Sequence, residues 1–219
     1  GRGDFFVSGS NAAAVAQVEA WEAWPHAKLV LTGPEGAGKT HLAHVWAAQS
    51  GAEIVPAATL SEEDVQRLAG LPALAVEDAD AIAGDRETET HLFHLHNALS
   101  NRGAPILFTA RHAPARWGLT LPDLDSRLRQ AGLARLDPPD DALLSALLLK
   151  LADDRALRLT PAILGHVIPR MERAFAAAQA FVERLDALSM AAKRPPRLTD
   201  AKAVLAELQA DMSRSRHET

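Results

Sequence analysis

Gly33-Pro34-Glu35-Gly36-Ala37-Gly38-Lys39-Thr40 is the stretch on which the fold turns. It follows the spacing G-x-x-x-x-G-K-[ST]. It lies between a short apolar run, Lys28 to Thr32 (KLVLT), and a helical pattern, HLAHVWAAQS, that stops at Gly51. A strand, a glycine-rich loop and a helix in that order form the context in which this motif holds phosphate. The glycines let the loop turn tightly enough for backbone N–H groups to point inward around phosphate oxygens. Gly33, Pro34, Glu35, Gly36, Ala37 and Gly38 are therefore expected to cradle an ADP or ATP. Lys39 is expected to bridge the terminal phosphates and Thr40 to place its hydroxyl on Mg²⁺. The positive end of the following helix adds to the attraction.

A nucleotide site also needs a carboxylate at the end of a neighbouring strand. Ala73-Leu74-Ala75-Val76-Glu77-Asp78 supplies two, with Glu77 nearest the magnesium position and Asp78 nearest the attacking water. The apolar runs Leu74 to Val76 and Ile106 to Thr109 are too short for helices and lack strict alternation, which suits strands buried on both faces. Thr88 to Asn101 between them reads as a helix, and Asn11 to Trp24, with Asn11 at the N-cap position, reads as another. Strands alternating with helices predict an α/β base with a parallel sheet, because parallel neighbours need a crossover.

After Asp137-Pro138-Pro139 no strand-like run recurs. Asp141 to Leu151 is leucine-rich, Thr160-Pro161 pairs an N-cap with a proline at the first helical position, Arg170 to Met190 reads as a long helix, and Thr199-Asp200 opens another. This predicts an α/β base over 1–137, an all-helical lid over 138–210 and a disordered polar tail over 211–219.

The chain has 23 Lys+Arg against 28 Asp+Glu, a net charge of −5 and a pI near 6.0. That balance argues against broad adhesion to nucleic acid and leaves room for one local anion site, so little direct DNA binding is expected. The absence of cysteine removes disulfides, thiolate zinc sites and cysteine nucleophiles together. No apolar run approaches the ~20 residues of a membrane helix, and no basic-then-apolar leader opens the chain, which predicts a cytoplasmic protein without a membrane role. His41 with His44, and His91 with His94, are i,i+3 pairs, but a zinc site needs a third or fourth ligand that the pattern does not supply. Trp21, Trp24, Trp46 and Trp117 read as helix-packing residues, each with an N–H to satisfy.

With these pieces in place, the chain resembles the AAA+ ATPase module of the bacterial replication initiator DnaA, and most of all its shortened relatives of the Hda type. Phe6-Val7-Ser8-Gly9-Ser10-Asn11 is similar to the family's F-x-x-G-x-x-N segment, which implies that Phe6, Val7 and Asn11 lie at the adenine. Gly38-Lys39-Thr40-His41-Leu42 extends the phosphate loop in the family's manner and adds His41 to the nucleotide-binding set. The stretch from Ile82 to Thr88, with Phe93 and Asn97-Ala98-Leu99, also resembles the family. Thr109-Ala110-Arg111-His112-Ala113-Pro114 occupies the strand end that senses nucleotide. The family usually has an acidic residue where Arg111 stands. That departure leaves Thr109 as the polar sensor and implies weak intrinsic hydrolysis.

Leu124-Asp125-Ser126-Arg127-Leu128, then Gly132-Leu133, is similar to the box whose arginine acts in trans, which implies that Arg127 reaches a neighbouring subunit's nucleotide. Pro169-Arg170-Met171-Glu172-Arg173-Ala174-Phe175 is similar to the lid stretch that sets Arg170 on the chain's own γ- or β-phosphate. By residue type alone either arginine is equally a surface residue. The family's DNA-reading helix-turn-helix has no room after the lid.

The resemblance thus implies a regulator of replication initiation that contacts DnaA, promotes its ATP hydrolysis and, as a possible homo-oligomer, uses the same AAA+ surfaces. Hda-type proteins also bind the DNA polymerase sliding clamp through an N-terminal peptide, of which Gly1 to Phe6 carries no recognisable form. The alternatives are an ATPase of the DnaC helicase-loader kind and a nucleotide-dependent scaffold.

Overall fold

The computed structural model describes residues 6–215, so of the Gly1 to Phe6 segment that bears on a clamp-binding peptide all but Phe6 lies outside the described residues. The chain divides into two compact units, Gly1–Asp137 and Pro138–Thr219. In the first, five strands form one parallel sheet: β1 (Lys28–Thr32), β2 (Glu53–Pro56), β3 (Leu74–Glu77), β4 (Ile106–Ala110) and β5 (Gly132–Arg135). Their spatial order is β2-β3-β4-β1-β5, so β1 is an interior strand, paired in register with β4 (Thr32 opposite Ala110) and with β5 (Thr32 opposite Arg135). The expectation of an α/β base with a parallel sheet holds.

Helices cover both faces. One core gathers Val30, Val76 and Phe108 against α3 (Glu62–Leu68), α4 (Arg86–Asn101) and α5 (Pro122–Leu128). The other gathers Leu29, Leu31, Ala75 and Leu107 against α1 (Ala12–Glu19) and α2 (Lys39–Ser50). Adjacent residues of β1 thus enter opposite cores, which explains a strand that is apolar without alternation.

In the first unit three features differ from the sequence reading. β2 and β5 were not expected: EIVP and GLAR hold too few apolar residues to stand out. α1 ends at Glu19 instead of reaching Trp24: Ala20 leaves the helix (φ −82°, ψ 30°), Trp21–Ala23 form a 3-10 turn, and Trp24 before Pro25 is extended (φ −62°, ψ 138°), its indole N–H donating to Gln17 O at 2.7 Å. Asn11 sits at the N-cap but makes no side-chain cap bond. It is buried, accepts from Ser8 N and donates to Phe6 O, both at 2.8 Å, and so folds the preceding segment onto itself.

The second unit is helical throughout: α6 (Asp141–Asp153), α7 (Pro161–Val167), α8 (Phe175–Ala192) and α9 (Leu198–Ser215) enclose a core that includes Leu144, Leu148, Ile163, Phe181, Leu185 and Val204. Arg170 does not begin the long helix. It lies in the turn after α7, where the N–H groups of Arg170 and Met171 both close on Val167 O, and Met171 is buried in the core. An extended Ala174 (φ −144°, ψ 143°) then separates that turn from α8. α9 runs on to Ser215, past the point where the polar tail was expected, with Asp211 paired to Arg184 and Arg214. Among the described residues no helix is long and apolar enough to cross a membrane.

Candidate functional site

Because all five strands run the same way, the segments that follow β1, β3 and β4 emerge on one edge of the sheet, the place where open α/β sheets bind ligands. The loop from Gly33 begins there. Gly33 N donates to Ala110 O at 3.3 Å, fastening the loop to the end of β4, and Gly33 cannot be larger: a Cβ would lie 2.6 Å from Leu136 O. Gly36 (φ 77°) and Gly38 (φ 97°) adopt left-handed conformations that turn the chain into α2. The N-cap of α2 is Gly38, which has no side chain to compete with an anion for the helix N-terminus.

Lys39 is only 8% exposed, and its ammonium donates to Gly33 O at 2.8 Å and Pro34 O at 2.9 Å. Burial pulls its pKa below the ordinary lysine value, while Asp78, Asp80 and Glu35 oppose that and Arg111 adds to it. Thr40 is exposed at the start of α2, and His41 follows half-buried.

The acid pair closes the other side. Glu77 ends β3 with its Oε1 buried and without a hydrogen-bond partner among the described residues. A buried carboxylate oxygen left unbonded costs free energy unless a cation or its water shell takes it up. The Thr40 and Glu77 oxygens are of the hard type that Mg²⁺ prefers, and Glu77 is of the sort that fits it. Asp78 is exposed in a left-handed conformation (φ 50°), a strained backbone of the kind found at sites. Its N–H donates to the buried Thr109 hydroxyl at 3.0 Å, which joins the acid pair to the end of β4. Arg111 N donates to Asp80 at 2.9 Å, and the Arg111 guanidinium reaches Glu35 of the loop at 3.0 Å. The phosphate loop, Glu77, Asp78 and Thr109 therefore gather at one place. Asp80 and the Glu35–Arg111 pair belong there too; sequence spacing carries no signal for either.

The N-terminal segment connects to the same edge. Leu136 N donates to Thr32 O at 2.7 Å and Asp137 N to Ser10 O at 3.4 Å, which brings the Phe6–Asn11 stretch to the strand that carries the loop. Phe6 and Val7 are exposed. Arg170 belongs to the second unit, its guanidinium donating to His166 O at 2.9 Å and its carbonyl accepting from Gln209.

Arg127 lies elsewhere. It is exposed on α5, 5.5 Å over the ring of Phe93, and its carbonyl accepts from Lys28 Nζ at 3.1 Å. Lys28 is the first residue of β1, whereas Gly33 follows the last. Five strand steps separate them, about 16 Å. Lys28 is 4% exposed and also bonds His96 Nε2 at 3.0 Å, with His96 itself 1% exposed. Burial, with the Lys28 charge beside it, holds the His96 pKa at about 4. The histidines of α4 are thus dispersed: His91 faces Leu60 O while His96 faces Lys28.

No protein-family model matches the chain. Among solved structures it is similar to domain III of the replication initiation protein DnaA from Thermotoga maritima, with a TM-score of 0.81 at 20% identity over 93% of this chain and 94% of that one. It is also similar to AMPPCP-bound DnaA from Aquifex aeolicus (TM-score 0.70, 15% identity, 82% of this chain and 62% of that one). A variant of RuvB from Thermotoga maritima superimposes with a TM-score of 0.72 at 18% identity over 93% of this chain and 70% of that one. The chain thus spans about two thirds of the longer DnaA and RuvB chains and nearly all of the isolated DnaA domain. At these identities the likeness establishes the AAA+ fold.

Proposed function

We propose that the chain is a DnaA-related AAA+ regulator of replication initiation. It binds ADP or ATP with Mg²⁺ at Gly33–Thr40 and promotes ATP hydrolysis by DnaA with Arg127 supplied in trans. The observation that carries this reading is the length of β1 between Arg127 and the phosphate loop. Lys28, which holds the Arg127 carbonyl, opens β1, whereas the loop follows Thr32 at the other end of that strand, and this supports a role for the exposed Arg127 toward a phosphate other than its own chain's.

Each residue then has a task. The loop N–H groups and Lys39 hold the phosphates, Lys39 exchanging the carbonyls of Gly33 and Pro34 for phosphate oxygens. Thr40 and Glu77 hold Mg²⁺, which when bound neutralises phosphate charge. Asp78 orients water beside the Thr109 hydroxyl, and Phe6, Val7, Asn11 and His41 surround the base. Arg170 of the second unit is assigned to the γ- or β-phosphate of the same nucleotide. Phe93 holds the Arg127 guanidinium in an outward pose until a partner's phosphate takes it over. The partners in this reading are DnaA and the DNA polymerase sliding clamp.

The test pairs two variants in an assay of DnaA ATP hydrolysis on clamp-loaded DNA. Arg127→Ala should bind nucleotide as the parent chain does and lose stimulation by a factor of about 10³, the scale of an arginine finger. Lys39→Ala should lose nucleotide binding. Stimulation that survives Arg127→Ala removes the trans role, and substantial turnover by the chain alone together with single-stranded DNA binding would favour the helicase-loader reading.

A further inference from the structure

Resting on the reading that Gly33–Thr40 holds a nucleotide, we propose that Arg111 distinguishes a triphosphate from a diphosphate by exchanging its ion pair with Glu35 for the terminal phosphate. Arg111 follows Ala110, whose carbonyl accepts from Gly33 N, so its side chain starts beside the first residue of the loop. Its main chain is anchored, because Arg111 N donates to Asp80 at 2.9 Å. Its guanidinium is not: it is 64% exposed and paired at 3.0 Å with a Glu35 carboxylate that is 84% exposed.

An ion pair so open to water contributes little, and either partner leaves it at small cost. A phosphate offers the same fork two parallel charge-assisted bonds and a larger charge. The Glu35 carboxylate released by that exchange stays solvated and needs no new partner.

The surrounding charge makes a second cation beside Lys39 necessary for a third phosphate. Lys39 feels three carboxylates, Asp78, Asp80 and Glu35, and one cation, Arg111. Each phosphate added to a nucleotide brings further negative charge toward that acidic rim. The loop N–H groups and Lys39 would meet a diphosphate, and a third phosphate would add charge at the rim where Asp80 anchors the Arg111 backbone. Arg111 is thus the cation placed to receive it. Glu35, a loop residue at a position the motif leaves open, competes with the terminal phosphate for that cation.

Calorimetric titration with Mg–ADP and with a non-hydrolysable ATP analogue tests this on the parent chain, Arg111→Ala, Glu35→Gln and the double variant. Truncating Arg111 leaves its backbone N–H on Asp80, so the fold is expected to hold. Arg111→Ala should weaken the triphosphate by about tenfold while changing ADP by less than about twofold, the loss of one charge-assisted contact confined to one ligand. Glu35→Gln should strengthen triphosphate binding a few-fold, and the double variant should show no such gain. Equal losses for both nucleotides, no loss for either, or a Glu35→Gln effect of the same sign as Arg111→Ala would overturn the proposal and make the pair a simple clip on the loop. A parent chain that binds neither nucleotide would instead overturn the nucleotide reading on which the inference rests.

Discussion

His96 and Lys28 face one another in the interior, and that arrangement works only while His96 is neutral. Burial, with the Arg127 charge, lowers the Lys28 pKa too; with Lys28 charged its ammonium donates to the imidazole Nε2, so a second proton on the ring would remove the acceptor and set two cations 3.0 Å apart. Burial, assisted by Lys28, keeps the folded pKa near 4, against 6.5 for an unperturbed histidine. Between those values the unfolded chain binds the extra proton and the folded chain does not, so stability falls as pH drops from about 6.5 through 4. The full loss amounts to at most about 3 kcal/mol. His96→Gln keeps an acceptor for Lys28 without titrating. Urea midpoints measured from pH 7.5 to pH 4.5 should therefore decline less steeply in this variant than in the parent chain, and parallel slopes would show that His96 is not the group responsible. Because Lys28 also holds the Arg127 carbonyl, the same series would report on the end of α5 that carries the proposed trans arginine.

At the scale of elements, α4 and α5 are tied together by one carboxylate. Glu89, fully buried in α4, accepts from Gly84 N at 2.9 Å, from Thr120 N and its hydroxyl at 2.9 Å, and from Leu121 N at 2.7 Å. Burial alone would raise its pKa, but the donors of Thr120, Gly84 and Leu121 outweigh that and hold it below the usual glutamate value. The stability it confers is therefore present above the ordinary carboxylate range and is lost as pH falls through the lowered value. Glu89→Gln sets an NH₂ against backbone N–H groups and should cost about 2–4 kcal/mol, read as a shift in denaturant midpoint with unchanged slope. A loss below about 1 kcal/mol would mean that water replaces those bonds.

The element scale also shows where the sequence was legible. The loop, the acid pair and the runs of β1, β3 and β4 could be read because buried parallel strands are apolar on both faces and the phosphate motif has fixed spacing. β2 and β5 could not: they are short and partly exposed, and pairing along the sheet, not composition, makes them strands. The Glu35–Arg111 and Glu89–Thr120 contacts span 76 and 31 residues, a separation at which a single sequence carries no pattern.

For the whole molecule, the cores decide how far the chain can be divided. Among the described residues, the two cores of the first unit are made of residues up to Leu136 and the core of the second of residues from Leu144 onward. Each unit thus has an apolar core of its own on its side of Asp137-Pro138. A fragment of residues 1–137 should accordingly fold with a single cooperative transition and keep the phosphate loop, Glu77, Asp78, Thr109 and Arg111. It lacks Arg170. If Arg170 holds the γ- or β-phosphate as proposed, the fragment should bind Mg–ADP or the ATP analogue at least tenfold more weakly than the full chain, and Arg170→Ala in the full chain should reproduce most of that loss. Fragment and full chain with equal affinities would leave the second unit no part in holding phosphate. A fragment that fails to fold would show instead that the first unit depends on contacts beyond its own cores, and the Arg170→Ala titration would then decide the question alone.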